Sequence, residues 1–250
     1  MRPDIDLEFL RNCTNNDLRT LCDILTKDNE GNIRLSEKLT DTDSYYNCYP
    51  HNTKGMWQDI AAELQRFGGN TFLNLYRHGR GPAYESIVFD VCKKMEVEDI
   101  TEHDTAEEME QKLLFKLTET MISKLSEEEL SQLMKELNIE KRSYKKQGVM
   151  AALLVAKAVN KKLFYKMMTY IFRFVSEMLV GRGIMAAGAG LIARGTQFLL
   201  GPAGWIICGA WTAWDIAGPA YRVTIPAVLQ VSYMRMKYNS RLLTYNAQES

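Results

Sequence analysis

The chain has 250 residues, of which 46% are hydrophobic and 25% charged, and its formal net charge is zero. This length and composition allow a packed core in one large domain or two modest ones, and they exclude wholesale disorder. The net charge of zero conceals two parts of the chain with opposite net charges. Residues 1–140 carry 28 acidic and 16 basic side chains, a net charge of −12, whereas residues 141–250 carry 3 and 15, a net charge of +12.

The N-terminus and the cysteines indicate a compartment. The first ten residues contain acidic side chains and no apolar run, so they do not form a secretory signal. The five cysteines are odd in number and widely spaced, which argues against a disulfide framework and for a reducing cytosol. They form no CxxC pair, and the three histidines are scattered. We therefore expect no metal site.

The predicted elements of the first hundred residues are helices. Apolar residues at helical spacing predict one or two short helices over residues 4–26, with Thr14 as a cap for the second. A polar turn follows at residues 28–32, and residues 41–54 are predicted to be a loop. Further helices are predicted at 57–67, at about 70–76 and at 84–95. Two glycines at positions 68 and 69 are expected to end the first of these three.

The second half of the chain also has helical patterns. Residues 101–140 are acidic and contain two capping-box motifs, one beginning at Thr105 and one at Ser126. A linker is predicted at 138–146, and a long helix is predicted from Val149 to Val180. A further helix is predicted to begin at Pro226, after an extended stretch from Tyr221.

The patterns together predict a fold class and a division into domains. There is no β-type alternation and no internal repeat, so the fold is predicted to be mostly α: a multi-helix bundle with an apolar, glycine-rich C-terminal helical hairpin. The predicted parts are a short helical N-terminal domain at 1–50, an acidic helical domain at 51–140 and a basic helical region at 141–250.

The predicted hairpin spans about residues 176–217. Residues 195–214 are 20 consecutive uncharged residues, which is the length that a membrane-spanning helix needs. Gly201-Pro202 interrupts this run, and Arg182 and Arg194 interrupt the apolar stretch before it, so one straight spanning helix is not expected. We predict instead two helices, at 176–200 and 203–217. Because small residues allow helices to approach closely, the predicted packing positions are Gly188, Gly190, Gly204 and Gly209.

Basic and aromatic side chains around this hairpin predict contact with a membrane. Lysine and arginine are attracted to anionic lipid, and tryptophan suits the membrane–water interface. The alternative is a hairpin buried in the core of a soluble bundle. We also consider a hairpin that is exposed conditionally, with the acidic part competing with anionic lipid for the basic surface. The predicted membrane-contact residues are Lys157, Lys161, Lys162, Lys166, Arg173, Trp205, Trp211 and Trp214.

Three other motifs carry weaker signals. Residues 26–37 resemble a calcium-binding loop, but Thr26 stands where a carboxylate belongs, and a polar turn between helices gives the same string. Residues 77–81 could bind phosphate through arginine and backbone N–H groups, but they lack the spacing of a phosphate-binding loop. The basic run at 141–173 could contact nucleic acid, yet its aromatic residues fall at helical spacing, so nucleic acid is not an expected partner.

The sequence contains no recognisable catalytic motif. It lacks GxSxG and HExxH patterns and any Ser/His/Asp ordering, and its carboxylates show no paired acid/base spacing. We therefore expect a protein that is not an enzyme, with no catalytic residue and no cofactor.

Three blocks of the sequence resemble the YaaW family of uncharacterised bacterial proteins. The blocks are residues 6–10 through 35–39, residues 60–71 continuing to 89–91, and residues 218–230. This family is grouped with proteins that resemble ubiquinol–cytochrome c assembly chaperones. The resemblance implies a helical interaction protein of bacterial origin with no known reaction.

Two functions follow as expectations. The first is a non-enzymatic helical protein that associates conditionally with membranes, in the manner of a membrane-perturbing or pore-forming effector. An anionic membrane surface is its expected partner, and a protein partner or self-association is also open. The alternative is a soluble helical assembly chaperone or scaffold with the hairpin in its core. The expected location is the cytoplasm, with peripheral attachment to the inner membrane or insertion into it.

Overall fold

The described part of the chain is built from helices. A computed structural model describes residues 3–28, 31–69, 81–124, 127–136, 146–165, 167–169 and 221–246. Within these ranges the only β-type pairing is an isolated bridge between Lys27 and Ile33. The mostly α prediction is therefore confirmed. The hairpin predicted at 176–217 lies outside the described residues, and the domain boundaries stay predictions.

The helices follow one another with short connections in the first half of the chain. Two short 3-10 helices cover Ile5–Asn12 and Thr53–Met56, and residues 161–165 and 167–169 are also helical. The α-helices are α1 (Asn15–Thr26), α2 (Asp43–Cys48), α3 (Trp57–Gly69), α4 (Tyr84–Lys94), α5 (Ala106–Lys124), α6 (Glu127–Glu136), α7 (Lys146–Val159) and α8 (Tyr221–Asn246).

Two of the predicted helix caps are present. The Thr14 hydroxyl accepts a hydrogen bond of 3.2 Å from the Asp17 N–H at the start of α1. At the start of α5, the Glu108 N–H donates to the Thr105 hydroxyl at 3.3 Å, and the Thr105 N–H donates to the Glu108 carboxylate at 2.9 Å. This reciprocal pair is a capping box, and each cap contributes about 1 kcal/mol. The box predicted at Ser126 lies outside the described residues.

The predicted loop at residues 41–54 is wrong in part, because it contains helix α2. The Thr42 hydroxyl caps this helix by accepting from the Tyr45 N–H at 3.2 Å. The Tyr45 and Tyr49 rings stack with centroids 4.6 Å apart. The hydroxyl cap and the aromatic pair stabilise this helix of six residues, which is too short to show a periodic apolar pattern.

The long helix predicted from Val149 ends early. In the structure α7 stops at Val159, and Asn160 begins the next helical segment by accepting a 3.0 Å hydrogen bond from the Leu163 N–H. Asparagine is among the best N-cap residues because its side-chain oxygen satisfies one of the unpaired N–H groups of the first turn. The rest of the predicted helix, beyond residue 169, lies outside the described residues.

Helix α8 lies at the centre of the described structure. It packs against α1, α3, α4 and α5 and against the first 3-10 helix. A helix that contacts neighbours on several sides is apolar nearly all round. The buried apolar side chains of α8 are Val223, Ile225, Ala227, Val228, Leu229, Val231, Met234 and Met236.

The position of α8 overturns one prediction. The stretch from Tyr221 to Ile225 was predicted to be extended, but it is helical, and Pro226 lies inside the helix. Proline removes one backbone donor and disfavours the helical conformation of the residue before it. Burial of Val223 and Ile225, at 2% and 1% exposure, outweighs this local preference.

Gly68 serves a packing role. A Cβ atom at this position would lie 2.4 Å from the Ile87 Cδ1 atom of α4, which is closer than non-bonded carbon atoms come. The glycine lies within α3 and allows α3 and α4 to approach each other. The helix ends at Gly69, as predicted from the glycine pair, and the absence of a side chain at Gly68 also gives room for Ile87.

Buried thiols provide a test of the core. Cys13, Cys22 and Cys92 are buried and unpaired, and burial raises the pKa of each thiol to about 12. A variant with Cys48 and Cys208 replaced by serine is therefore expected to show no reaction with a thiol reagent at pH 8 in the folded state and three reactive thiols in denaturant. Rapid native labelling would contradict the described core.

The same thiols predict an alkaline loss of stability. The ordinary pKa of these groups is 9.0, so the unfolded chain releases their protons at a lower pH than the folded chain does. Their contribution to stability is fully present below pH 9 and is lost as the pH rises toward 12. Between pH 9 and pH 12, the urea midpoint of the unaltered chain is expected to fall by more than the urea midpoint of the variant C92A.

Candidate functional site

A buried polar cluster joins α8 to α4 and α5. The Arg235 Nε atom donates to one Glu110 carboxylate oxygen at 2.8 Å, and the Tyr84 hydroxyl donates to the other at 2.7 Å. The side chains of Glu110 and Arg235 are 3% and 11% exposed, and Tyr84 is fully buried. The Arg235 guanidinium also lies 4.4 Å from the centre of the Phe9 ring. The pair is therefore shielded from water.

The cluster extends to the N-terminal segment. Arg235 donates to the Asp6 carbonyl at 2.7 Å. One Asp4 carboxylate oxygen accepts from the Tyr84 N–H at 2.7 Å and from the Gln65 amide at 2.9 Å. These bonds connect the N-terminal segment with α3, α4, α5 and α8. The network therefore fixes the rotation and register of α8 in the bundle.

The charges of the central pair depend on each other. Burial raises the pKa of the Glu110 carboxyl, and the Arg235 guanidinium opposes that rise. Burial alone would lower the pKa of Arg235, but the Glu110 carboxylate outweighs it, and the pKa of Arg235 is raised. Burial also raises the pKa of Tyr84, which keeps its proton for the bond to Glu110. Each charge is thus tolerated in the core because the other is present.

A second ion pair joins α8 to α1. The Lys237 ammonium lies 2.8 Å from the Asp17 carboxylate, and the Gln230 amide donates to the Asp17 carbonyl at 3.2 Å. Asp17 belongs to the acidic part of the sequence and Lys237 to the basic part, as do Glu110 and Arg235 respectively. Some of the opposite charges of the two parts therefore neutralise each other as ion pairs inside the fold.

Helix α7 has one buried face and one exposed apolar face. Val149, Leu153 and Ala156 are buried, at helical spacing, and α7 packs on α5. We call the opposite side the outer face of α7. Its apolar side chains are Leu154, Val155 and Val159, which are 53%, 60% and 80% exposed.

Three exposed lysines lie in the last turn of α7 and just after it. Lys157, Lys161 and Lys162 are exposed, and within the described ranges no carboxylate forms an ion pair with them. Three of the predicted contact residues are thus exposed and lie close in sequence to the exposed apolar side chains. The other predicted contact and packing residues lie outside the described residues: Lys166, Arg173, Trp205, Trp211, Trp214, Gly188, Gly190, Gly204 and Gly209.

The segments on both sides of residues 170–220 pack on α5. The Tyr165 hydroxyl and the Asn239 amide both donate to the same Glu107 oxygen, at 3.5 and 3.0 Å. The Thr118 hydroxyl donates to the Met168 sulfur at 3.7 Å. Residues that precede and follow the predicted hairpin therefore meet at one helix of the acidic part.

No helix in the described ranges combines the length and apolarity required to cross a bilayer.

The weaker motifs have local roles or lie outside the described residues. Thr26 is the last residue of α1, and its hydroxyl donates to the Cys22 carbonyl at 2.8 Å. The Glu37 carboxylate accepts from the Thr40 N–H at 3.0 Å, so it stabilises the turn that follows the suggested calcium loop. No group of three or more potential metal ligands occurs among the residues that the structure describes. Residues 77–80 lie outside them.

Sequence reasoning missed the exposure of Leu154, Val155 and Val159. The sequence does carry one signal for this exposure, because apolar residues of α7 fall on both of its faces. It also missed the pairing of Glu110 with Arg235, which are 125 positions apart. A single sequence carries no signal for such a distant pair.

Comparisons with known proteins agree with the resemblance stated above. Residues 1–35 match the family model "Domain of unknown function (DUF3944)". A UPF0174 protein of Helicobacter pylori strain J99 is 37% identical over 235 residues, covering 94% of this chain and 92% of that protein. The UPF0174 protein YaaW of Escherichia coli K12 is 31% identical over 236 residues, covering 93% and 94%. No solved structure matches the chain. The relatives cover nearly the full length of the chain, and the chain belongs to the UPF0174 family of uncharacterised bacterial proteins.

Proposed function

We propose that this protein attaches to anionic membrane surfaces through the outer face of α7. The observation that carries the proposal is the exposure of Leu154, Val155 and Val159 on α7, with three exposed lysines within and just after the last turn of that helix. An interfacial helix combines such an apolar face with basic residues, because the apolar groups enter the acyl boundary while the cations meet lipid phosphates.

The expected free-energy contributions favour a membrane surface that offers both anionic headgroups and an apolar acyl layer. Each lysine near an anionic leaflet contributes about 1 kcal/mol at physiological ionic strength, and the contribution falls within a Debye length. Lys157, Lys161 and Lys162 together therefore contribute about 3 kcal/mol. Burial of the three apolar side chains adds to this at about 25 cal/mol per Å² of surface removed from water.

Within the described part of the chain, no element covers this face, so membrane contact through it needs no rearrangement of the described helices. The conditional step of the proposal concerns residues 176–217, whose insertion would perturb the bilayer in the manner of a pore-forming effector. Both flanks of that segment are bound to α5.

The vesicle experiment uses the full chain, because the partners of α8 belong to the acidic part. Co-sedimentation is measured with vesicles of phosphatidylcholine and with an equimolar mixture of phosphatidylcholine and phosphatidylglycerol. The triple variant K157Q/K161Q/K162Q is expected to bind the anionic vesicles about a hundredfold more weakly at low salt. The triple variant L154Q/V155Q/V159Q is expected to lose at least about tenfold.

Matched controls lie elsewhere on the surface. Ile5 and Leu35 are 84% and 106% exposed, so I5Q/L35Q tests whether loss of any exposed apolar side chain has the same effect. K38Q/K54Q removes two exposed lysines from a distant part of the sequence. Both controls should bind as the unaltered chain does. Failure of the unaltered chain to sediment with anionic vesicles would contradict the proposal, and dye release separates perturbation from simple attachment.

The second candidate function is a protein-binding scaffold, and the same face supports it. An exposed apolar stripe on a helix also suits an apolar groove of a partner or a second copy of this chain. In that case, the apolar triple variant changes the oligomeric state or the binding of a partner. The lysine triple variant then leaves vesicle binding unaltered.

A further inference from the structure

The C-terminal end of α8 exposes two adjacent leucines. Leu242 and Leu243 are 44% and 38% exposed, and Arg241 before them is also exposed. We call residues 241–243 the α8 end. Single exposed leucines are common on soluble proteins, whereas contiguous apolar surface marks contact with a partner or a membrane. Of the nine large hydrophobic side chains that are exposed among the described residues, five belong to the outer face of α7 or to the α8 end.

The course of α8 explains why these leucines are exposed. Arg235 donates to Glu110 and, about one turn later, the Asn239 amide donates to Glu107, so α8 runs toward the start of α5. Because α5 begins at Ala106, the next turn of α8 has no further turn of α5 to pack against. The architecture of the bundle therefore leaves more than a third of each leucine open to solvent.

A junction at Glu107 connects α8 with the helical segment that follows α7. One Glu107 carboxylate oxygen accepts from the Tyr165 hydroxyl at 3.5 Å and from the Asn239 amide at 3.0 Å. The same oxygen accepts from the Gln111 amide at 3.2 Å. Three donors thus spread the negative charge of this carboxylate, which weakens its repulsion of other anions nearby.

An exposed basic turn and an exposed apolar turn adjoin this junction. Lys161 and Lys162 come four and three residues before Tyr165, and the two leucines of the α8 end come three and four residues after Asn239. Residues at these spacings are neighbours on the surface of a helix. The lysines that follow α7 therefore lie one turn from the junction on one helix, and the leucines lie one turn from it on the other.

We propose that the α8 end is a second membrane-contact element, which enters the same anionic bilayer surface as the outer face of α7. This inference rests on the membrane attachment proposed above. Interfacial contact combines apolar side chains at the acyl boundary with cations at the lipid phosphates, and Lys161, Lys162 and Arg241 supply these cations. Contact through two helices fixes the rotation of the molecule on the bilayer, whereas contact through one helix leaves it free to turn about that helix.

Fluorescence from labelled positions tests the inference on the full chain. In the C48S/C208S variant, L243C is labelled with the environment-sensitive dye nitrobenzoxadiazole, and V155C and L35C are labelled in the same way for comparison. Vesicles of equimolar phosphatidylcholine and phosphatidylglycerol are then added. The emission from position 243 is expected to shift to shorter wavelength and to rise in intensity, as at position 155. Position 35, which is also exposed, should keep its aqueous spectrum.

The labels separate this inference from the proposed function. A response at positions 155 and 243 supports both. A response at position 155 alone overturns the inference about the α8 end and leaves attachment through α7 in place. A response at position 243 alone supports the α8 end and overturns the role of α7, and a response at neither position overturns both.

Vesicle affinity provides a measurement without a label. L242Q/L243Q is expected to bind these vesicles about tenfold more weakly than the unaltered chain, whereas I5Q/L35Q should bind equally well. Because both leucines are exposed, the helix content and the Tm of L242Q/L243Q should stay as they are. A folded L242Q/L243Q variant with full vesicle affinity would overturn the inference. If that variant also has a changed oligomeric state without vesicles, the α8 end is a protein contact instead.

Discussion

Replacing Arg235 with methionine is expected to lower the free energy of unfolding by about 3–5 kcal/mol at pH 8. The substitution keeps most of the side-chain volume but leaves the Glu110 carboxylate in the core without its counter-charge. Breaking a buried pair from one side costs far more than the pair itself contributes, because the remaining ion stays desolvated. Urea denaturation followed by circular dichroism measures the loss.

The pH dependence separates this electrostatic effect from lost packing. Burial raises the pKa of Glu110 and Arg235 opposes the rise, so removal of Arg235 raises that pKa further. The folded variant then binds a proton that the unfolded chain releases above its ordinary pKa of 4.5. The stability from this proton is present below that pH and is lost as the pH rises through the folded pKa. The deficit should therefore be smaller at pH 5 than at pH 8.

Two further variants serve as controls for this prediction. K237M removes the cation of the Asp17 pair. The Lys237 side chain is 30% exposed and the Thr14 hydroxyl also donates to the Asp17 carboxylate, so this loss should cost less than the loss of Arg235. The double variant E110Q/R235M removes both charges and should be more stable than R235M alone. A deficit of R235M that is the same at both pH values would show that packing accounts for the loss.

A chain that ends at residue 220 is expected to lose its cooperative unfolding transition. Without α8, the apolar faces of α1, α3, α4 and α5 lose their shared partner. Seven valine, isoleucine, leucine and methionine side chains of α8 are buried at 4% exposure or less. At about 1.5–3 kcal/mol for each, their burial contributes on the order of 10–20 kcal/mol. A whole domain is stable by about 5–15 kcal/mol.

The missing helix can be supplied to the truncated chain as a separate peptide. A synthetic peptide of residues 221–246 should restore a cooperative transition when it is added to the truncated chain, and the same peptide with R235M should restore it less well. Removal of residues 247–250 alone is the matched control and should leave the transition unaltered. A truncated chain that unfolds cooperatively without peptide would show that the acidic part forms a core by itself.

Local signals in the sequence predicted the elements that depend on local interactions. The faces of α3 and α4 followed from apolar residues at helical spacing, and the caps at Thr14 and Thr105 followed from hydroxyls at the start of each pattern. Each of these features is decided within about one or two turns of chain. Such features are visible in a single sequence because the interacting residues are near neighbours.

The central place of α8 could not be predicted from local pattern. Its apolar residues lie on nearly all sides, so they show no clear period, and Pro226 suggests a helix start where the chain is already helical. Apolar composition indicated burial, but it did not indicate which helices provide the neighbours. The charge pairs that select them join residues more than a hundred positions apart.

The exposure of the lysines at the candidate site was expected from the sequence, whereas the exposure of its apolar side chains was not. Lysines are almost always exposed, so Lys157, Lys161 and Lys162 were expected at the surface. The exposure of Val159 depends on which side of α7 packs on α5, and both sides of this helix are apolar. That choice is made by tertiary packing.

The placement of α8 also sets an order of events during biosynthesis. It begins 97 residues after α5 ends, at positions 221 and 124. At about 5–20 residues per second, the ribosome takes on the order of 5–20 s to translate this interval. During that time α1, α3, α4 and α5 have been made but lack the helix that completes their core. The apolar segment at 176–217 is translated within the same interval. Nascent chains of this protein therefore carry incomplete apolar surfaces for seconds, and closure of the core waits for the last helix described here.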